Sequence, residues 1–278
     1  MKNEKFSVVI PSYNTKNYLK KAIDSVLNQT YQPFEIIIID NNSIDGSQDY
    51  IKSLKNKRIK LFKIENFGSI AKSRNIGIEK SSGNWISFLD SDDYWHPQKL
   101  EQVREAIIEL QPDMVSHNTY NINKNDRIIS SSKYGQTKIS LVKHLLTRGS
   151  LYHTSAVSLK KEFLNKNKLF FDERLAVALT EDYDLWTRIV LNKGKVCHIE
   201  RKLSYYRMHD KNNSRDIKIF KAVLFVKKKN LEYVLIKGLF KINDLLEIVF
   251  FYYLYKFYVK SKQLAKKISS KIESTGKK

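Results

Sequence analysis

The chain is poor in the residues that staple or punctuate a fold. A single cysteine, Cys197, in 278 residues excludes an intrachain disulfide and any cysteine-rich zinc site. That scarcity fits a reducing compartment. Four prolines and nine glycines are too few for a fibrous or linker-rich protein. In the most apolar segment the longest charge-free run, Ile248 to Tyr255, is far short of the roughly 20 apolar residues of a spanning helix. Met1 to Lys5 runs straight into a strand pattern, with no separate apolar stretch and small-residue cleavage site, so no secretory signal is read there. Negative charge is also scarce. Asp and Glu number 29 against 50 Lys and Arg, a net charge of +21. Such a balance points to an anionic partner: nucleic acid, an anionic membrane surface or a phosphorylated ligand.

What is present is an ordinary globular balance. Hydrophobic residues make up 42% and charged residues 28%, which excludes wholesale disorder. The length suits one large domain or two small ones. Phe6 to Ile10, Glu35 to Ile39 and Trp85 to Leu89 are short apolar runs that read as buried strands. Ile59 to Ile64 alternates with lysine, as a half-exposed strand does. Between the strands, Tyr18, Leu19, Ala22, Ile23, Val26 and Leu27 have helical spacing, and Ile70 to Glu79 reads as a short helix. A helix near Pro97 buries Leu100, Val103, Ile107 and Leu110. Alternation of this kind predicts an α/β fold with a mostly parallel sheet flanked by helices. Ligands of such sheets bind at the carboxyl ends of the strands. Three of those ends carry Pro11-Ser12-Tyr13, Asp40-Asn41 and Asp90-Ser91-Asp92. No glycine-rich loop follows the first strand, so neither a dinucleotide fold nor a P-loop is supported.

Asp90, Asp92 and Asp93 crowd three carboxylates just past a buried strand. Their mutual repulsion is relieved by a divalent cation, and hard oxygen ligands suit Mg2+ or Mn2+. The plainer alternative is an acidic turn, with Asp93 or Ser91 capping the next helix. Glu181 and Asp182 likewise fit either an acidic first helical turn or an acid–base pair. The histidines at 96, 117, 144, 153 and 198 show no metal-ligand spacing.

FSVVIPSYN, EIIIIDNNSIDGS, SIAKSRNIGI and WISFLDSDDYW, in that order, resemble the family 2 glycosyltransferases of the GT-A fold. The likeness resumes at LTEDYDLW (179–186) and at Tyr206-Arg207-Met208-His209. It implies an inverting, metal-dependent hexosyltransferase that takes a sugar from a nucleotide-sugar donor to an acceptor hydroxyl. Pro11, Ser12, Tyr13, Asp40, Asn41, Arg74, Asp90, Ser91 and Asp92 would then hold the nucleotide-sugar, with the Tyr13 ring available for stacking. Asn41 stands where the family often has Asp, which leaves uridine against thymidine open. Asp92 and His209 would hold Mn2+ or Mg2+. Asp182 would be the catalytic base, with Glu181 as the fallback.

Residues 1–216 are expected to form the glycosyltransferase domain, with about 1–112 as nucleotide half and 113–216 as acceptor half. Residues 217–278 are expected to form a basic, amphipathic helical tail. They carry 15 Lys and 4 acidic residues, a net of +11. Lysines around Tyr-rich apolar segments fit a helix lying on an anionic bilayer. The expectation is therefore a cytoplasmic enzyme, peripheral on the inner face of the cell membrane. It would act on a lipid-linked glycan in bacterial surface polysaccharide assembly, of O-antigen or capsule type. The tail could equally pack on the domain or make a homo-oligomer interface. Two alternatives are a charge-driven nucleic-acid-binding protein and a nucleotidyltransferase. The acidic motifs argue against the first, so no nucleic acid is expected as partner. The missing glycine- and arginine-rich loop argues against the second.

Overall fold

The apolar runs become strands because each can bury both of its faces. In the computed structural model, which describes residues 4–135, 140–208 and 217–275 (side chains to residue 264), every residue of β1 (Phe6–Ser12) is buried. So is every residue of β2 (Glu35–Asp40). Alternate residues serve opposite layers. Val9, Ile37 and Ile39 join one core, and Val8, Ile10, Ile36 and Ile38 join the other. That is why these strands read as unbroken apolar runs rather than as alternation. On one side lie α1 (Lys16–Leu27), through Leu19, Ala22, Ile23 and Val26, and later α4 (Lys99–Leu110), through Leu100, Val103 and Ile107. Helix α2 (Ser47–Ser53) adds Ile51 to the same layer, and the half-exposed β3 (Ile59–Lys63) closes the sheet edge. On the other side α3 (Ile70–Lys80) lies so close to β1 that a Cβ on Gly77 would meet Val9 Cγ1 at 2.2 Å.

Among the described residues the sheet has nine strands, which include β4 (Trp85–Phe88), β5 (Tyr94–Trp95), β8 (Ser158–Lys160) and β9 (Val196–Arg207); its order is β3-β2-β1-β4-β8-β6-β9-β5, with β7 (Ile128–Ser132) paired to β6 (Met114–Ile122). Strands β1 to β3 and β4 are parallel. Beyond β4 the sheet is mixed. β8 runs antiparallel to both β4 and β6. The long β9 runs parallel to β6 and antiparallel to the two-residue β5. The acidic turn Asp90–Asp93 is thus stretched between β4 and a strand pulled onto the far end of β9. Two local readings shift. β1 continues through Pro11 to Ser12, because its pairing with β4 has already ended at Val9. Pro97 lies before α4, whose N-cap is Gln98.

The segment after β6 adds α5 (Leu141–Thr147), α6 (Lys161–Lys166) and α7 (Glu181–Leu191). The tail forms α8 (Ile217–Lys237) and α9 (Ile242–Thr275). Leu231, Val234 and Ile248 pack there against Leu146 and Leu191. Lys227 Nζ donates to Leu146 O and Thr147 O at 2.9 and 2.8 Å, at the C-terminus of α5. A cation is favoured where helix carbonyls lack partners. Burial pulls the Lys227 amine down to about 8. No helix among the described residues is long and apolar enough to cross a membrane.

Candidate active site

The three strand ends do meet. Pro11, Ser12, Tyr13, Asn41, Asp90, Ser91 and Asp92 line one cleft of about 490 Å³, with Thr15, Asn66, Gly68, Ile70 and Ser73 completing its wall. Short side chains lace the rim together. Thr15 Oγ1 donates to Ser91 Oγ at 2.9 Å, and Asn41 N donates to Ser12 O at 2.9 Å. Asn14, in the left-handed region at φ +51°, accepts from Ile44 N through Oδ1, tying the loop after β1 to the loop after β2. Tyr13 is 59% exposed on the rim, so it is not a core aromatic. The Asn41 side-chain oxygen already accepts from Asn66 N at 2.8 Å, which leaves it one further lone pair. Asp40 is fully buried and lies outside the cleft wall. It accepts from Ser43 N, Ser43 Oγ and Gln48 Nε2, and so shapes the loop that carries Asn41.

Arg74 also sits behind the wall rather than on it. Only 3% exposed, it donates from Nη2 to Asp90 Oδ1 at 2.8 Å and from Nη1 to Glu181 Oε1 at 2.7 Å. Burial alone would raise the Asp90 carboxyl, but the charge and hydrogen bond of Arg74 hold it below its usual range. The guanidinium therefore joins the turn after β4 to the first turn of α7.

The acidic turn is built from several sides. Asp93 caps no helix. It is buried, accepts from Ser155 Oγ at 2.6 Å and from Arg207 N at 2.8 Å, and is pushed towards its neutral form by burial and by Asp92 and Asp90. Arg207, itself 2% exposed, adds Nε to Asp92 O and Nη2 to Asp126 Oδ1. Asp90, Asp93 and His153 each offer a ligand atom within 4.8 Å of the others. Burial lowers His153 to about 4, so its ring is neutral at pH 7, and its buried Nδ1 has no hydrogen-bond partner. Two carboxylates and an orphaned neutral imidazole fit a divalent cation, and Asp92 lines the adjoining cleft. His209, the other expected ligand, lies outside the described residues.

Asp182 stands at the head of α7, one residue beyond Glu181. Burial first, and then the charge of Glu181, raises its carboxyl to about 6. It accepts from Tyr183 N at 2.6 Å and from Thr154 Oγ1 at 3.2 Å. With Glu181 committed to Arg74, Asp182 is the carboxylate better placed for proton transfer. The adjoining Leu179 holds φ +70°, a strained value for a bulky residue.

Comparison with known proteins gives the chemistry a class. The family model for glycosyl transferase family 2 matches residues 7–170. The chain belongs to that family. Among family 2 relatives, the uncharacterized glycosyltransferase MJ1057 of Methanocaldococcus jannaschii is 31% identical over 212 residues, 74% of this chain and 72% of its own. GlyA of Streptococcus pneumoniae is 30% identical over 77% of this chain, which spans only 32% of GlyA's length. Solved structures of S. aureus TarS share the fold. The complex with UDP-GlcNAc superposes with a TM-score of 0.65 at 20% identity, covering 82% of this chain and 66% of that one. The chain therefore has the GT-A architecture. Neither alternative weighed on the sequence, nucleic-acid binding or nucleotidyl transfer, finds support in these matches.

Sequence reading missed the turn Thr154–Ala156 and the residue before it. His153, Thr154 and Ser155 touch, between them, Asp90, Asp93 and Asp182. The only signal was a run of small polar residues ahead of an apolar strand, which many turns share.

Proposed function

We propose that this family 2 enzyme is an inverting transferase. It moves a hexose-type sugar from a UDP-sugar to an acceptor hydroxyl, in the assembly of a lipid-linked bacterial surface polysaccharide at the cytoplasmic face of the membrane. The observation that carries this reading is the Arg74 bridge from Asp90, on the wall of the cleft at Pro11–Tyr13, Asn41 and Asp90–Asp92, to Glu181, whose neighbour Asp182 is a carboxylate raised to about 6. Tyr13 offers a face for the base, and Asn41 an acceptor for its N3–H. Asp90 and Ser91 hold the ribose or sugar hydroxyls. Asp182 takes the acceptor proton as the acceptor oxygen attacks from the side opposite the leaving diphosphate. Arg74 acts by keeping Asp90 and Glu181 in place. Asp92, with Asp90, Asp93, His153 or His209, would hold a divalent cation, which would supply charge neutralisation to the departing diphosphate. TarS, solved with UDP and with UDP-GlcNAc, supports a uridine donor for a chain of this fold.

Thermal melts against UDP, dTDP, ATP and a DNA duplex, with and without Mn2+, test the proposal. A ligand that binds the folded state raises Tm by mass action. A shift with UDP that grows with Mn2+ is expected. A shift with dTDP alone redirects the donor to deoxysugars. A response to DNA but to no nucleoside diphosphate overturns the reading.

A further inference from the structure

Helix α9 is apolar on two faces, and only one of them is covered. Ile248 and Val259 are buried, and Leu245, Val249 and Tyr252 pack on the cluster formed with α5, α7 and α8. On the other face Ile242, Leu246, Phe250, Tyr253, Phe257 and Leu264 are each 59–71% exposed. At about 100° per residue these six fall within an arc of roughly 80°, and at 1.5 Å per residue the ridge is about 33 Å long. Single exposed apolar residues are ordinary on a monomer, but a continuous ridge marks an interaction surface.

The charges beside the ridge choose its partner. By the same spacing Lys260 falls on one edge of the arc and Lys256 about 40° outside that edge. Glu247 and Asp244 lie about 60° and 120° beyond the opposite edge, and both are already paired to Lys143 of α5, at 2.6 and 3.1 Å. Two copies of the ridge would set lysine against lysine while the acidic side chains that could answer them are committed to Lys143, whereas helix pairing needs opposite charges at those places. Anionic headgroups supply that complement. Phe250, Tyr253 and Phe257, midway along the ridge, match the boundary between headgroup and acyl chain. Because α9 is not apolar enough to span, it would lie in the plane of the surface.

We propose that this ridge of α9 rests on an anionic lipid bilayer. The inference deepens the membrane-side placement proposed above and is independent of the sugar transferred. The test is co-sedimentation of the full chain with phosphatidylcholine vesicles, with and without phosphatidylglycerol, beside light scattering for mass and UDP titration for fold. Binding is expected only with phosphatidylglycerol, weakening with salt. The double variant Phe250→Ser, Phe257→Ser should lose at least about tenfold in vesicle affinity, since each buried apolar group adds to partitioning. The same variant should keep its UDP affinity. Lys256→Gln with Lys260→Gln should weaken the binding and reduce its salt dependence. Undiminished vesicle binding by the Phe variant overturns the proposal. So does a dimer that the Phe variant dissociates while wild type ignores vesicles. Vesicle binding without any UDP response would sink the donor reading and leave this one standing.

Discussion

Arg74 and Glu181 are 107 positions apart in sequence and share a 2.7 Å ion pair in which both side chains are almost wholly buried. The second arm of the same guanidinium holds Asp90. Replacing Arg74 by Met strands the buried Glu181 carboxylate and leaves Asp90, on the cleft wall, without its cation. Breaking one side of a buried pair costs about 3–5 kcal/mol, so urea unfolding of Arg74→Met should show a loss of that order. Arg74→Lys supplies charge but no fork, and should recover only part of it. A variant as stable as wild type would mean that the two halves are held by packing alone.

The raised carboxyl of Asp182 sets a pH dependence. A base must be deprotonated, so kcat should fall about tenfold per pH unit below pH 6 and level off above it. The stability effect runs the other way. Because the folded value, about 6, lies above the usual one, the charged form is disfavoured on folding, and the cost grows from about pH 4 to pH 6 before levelling. Asp182→Asn should therefore abolish transfer and keep UDP binding. Near neutral pH it should melt higher by roughly 2–4 °C, the shift of about 1 kcal/mol for a chain of this size. The gain should vanish near pH 4. A flat pH–rate profile would remove Asp182 as the base.

Much of this was legible in the sequence, for physical reasons. Strands buried on both faces leave continuous apolar runs, and those runs end where the cleft forms. The acidic motifs follow directly after them. The depth of each residue was not legible. Asp40, Asn41 and Arg74 belong to the same motifs, yet Asn41 lines the cleft while Asp40 and Arg74 sit behind it. What decides this is tertiary: the close approach of α3 to β1 at Gly77, and a carboxylate arriving from α7. The turn at 153–155 was invisible because its role depends on β8 lying antiparallel beside β4, which no local pattern encodes.

The cation site makes a prediction that does not need turnover. His153 is neutral at pH 7, and its Nδ1 faces Asp93 Oδ2 at 3.9 Å with no hydrogen-bond partner. Loss of one ligand or its immediate support typically costs about 10–100-fold in metal affinity. Mn2+ titration followed by electron paramagnetic resonance should show such a loss for His153→Ala and a larger one for Asp92→Ala. Unchanged Mn2+ affinity in His153→Ala would leave that histidine as packing against Tyr206.

The tail reaches the helix that carries Asp182 through Lys229. Lys229 of α8 places Nζ 2.7 Å from Asp184 Oδ1 and 2.9 Å from Asp172 Oδ2. Asp184 is fully buried one turn into α7, and Arg188 Nε holds its other oxygen at 2.8 Å. Asp172 opens the segment that ends at Glu181 and Asp182. Burial would raise its carboxyl, but hydrogen bonds from Arg174 and Lys229 hold it well below the usual range. Lys229 thus ties the start of the segment leading to Asp182 to the first turn of α7. Lys229→Met should cost about 1.5–3 kcal/mol, as for a hydrogen bond to a charged group. The difference from wild type should be full above about pH 4, the ordinary Asp value, and shrink as Asp172 protonates below it. Because the donor cleft is untouched, UDP affinity should hold while kcat falls and the acceptor KM rises. Lys229→Arg should restore much of both. If Lys229→Met lowers stability but leaves the acceptor kinetics at wild-type values, the tail braces the fold without setting the base.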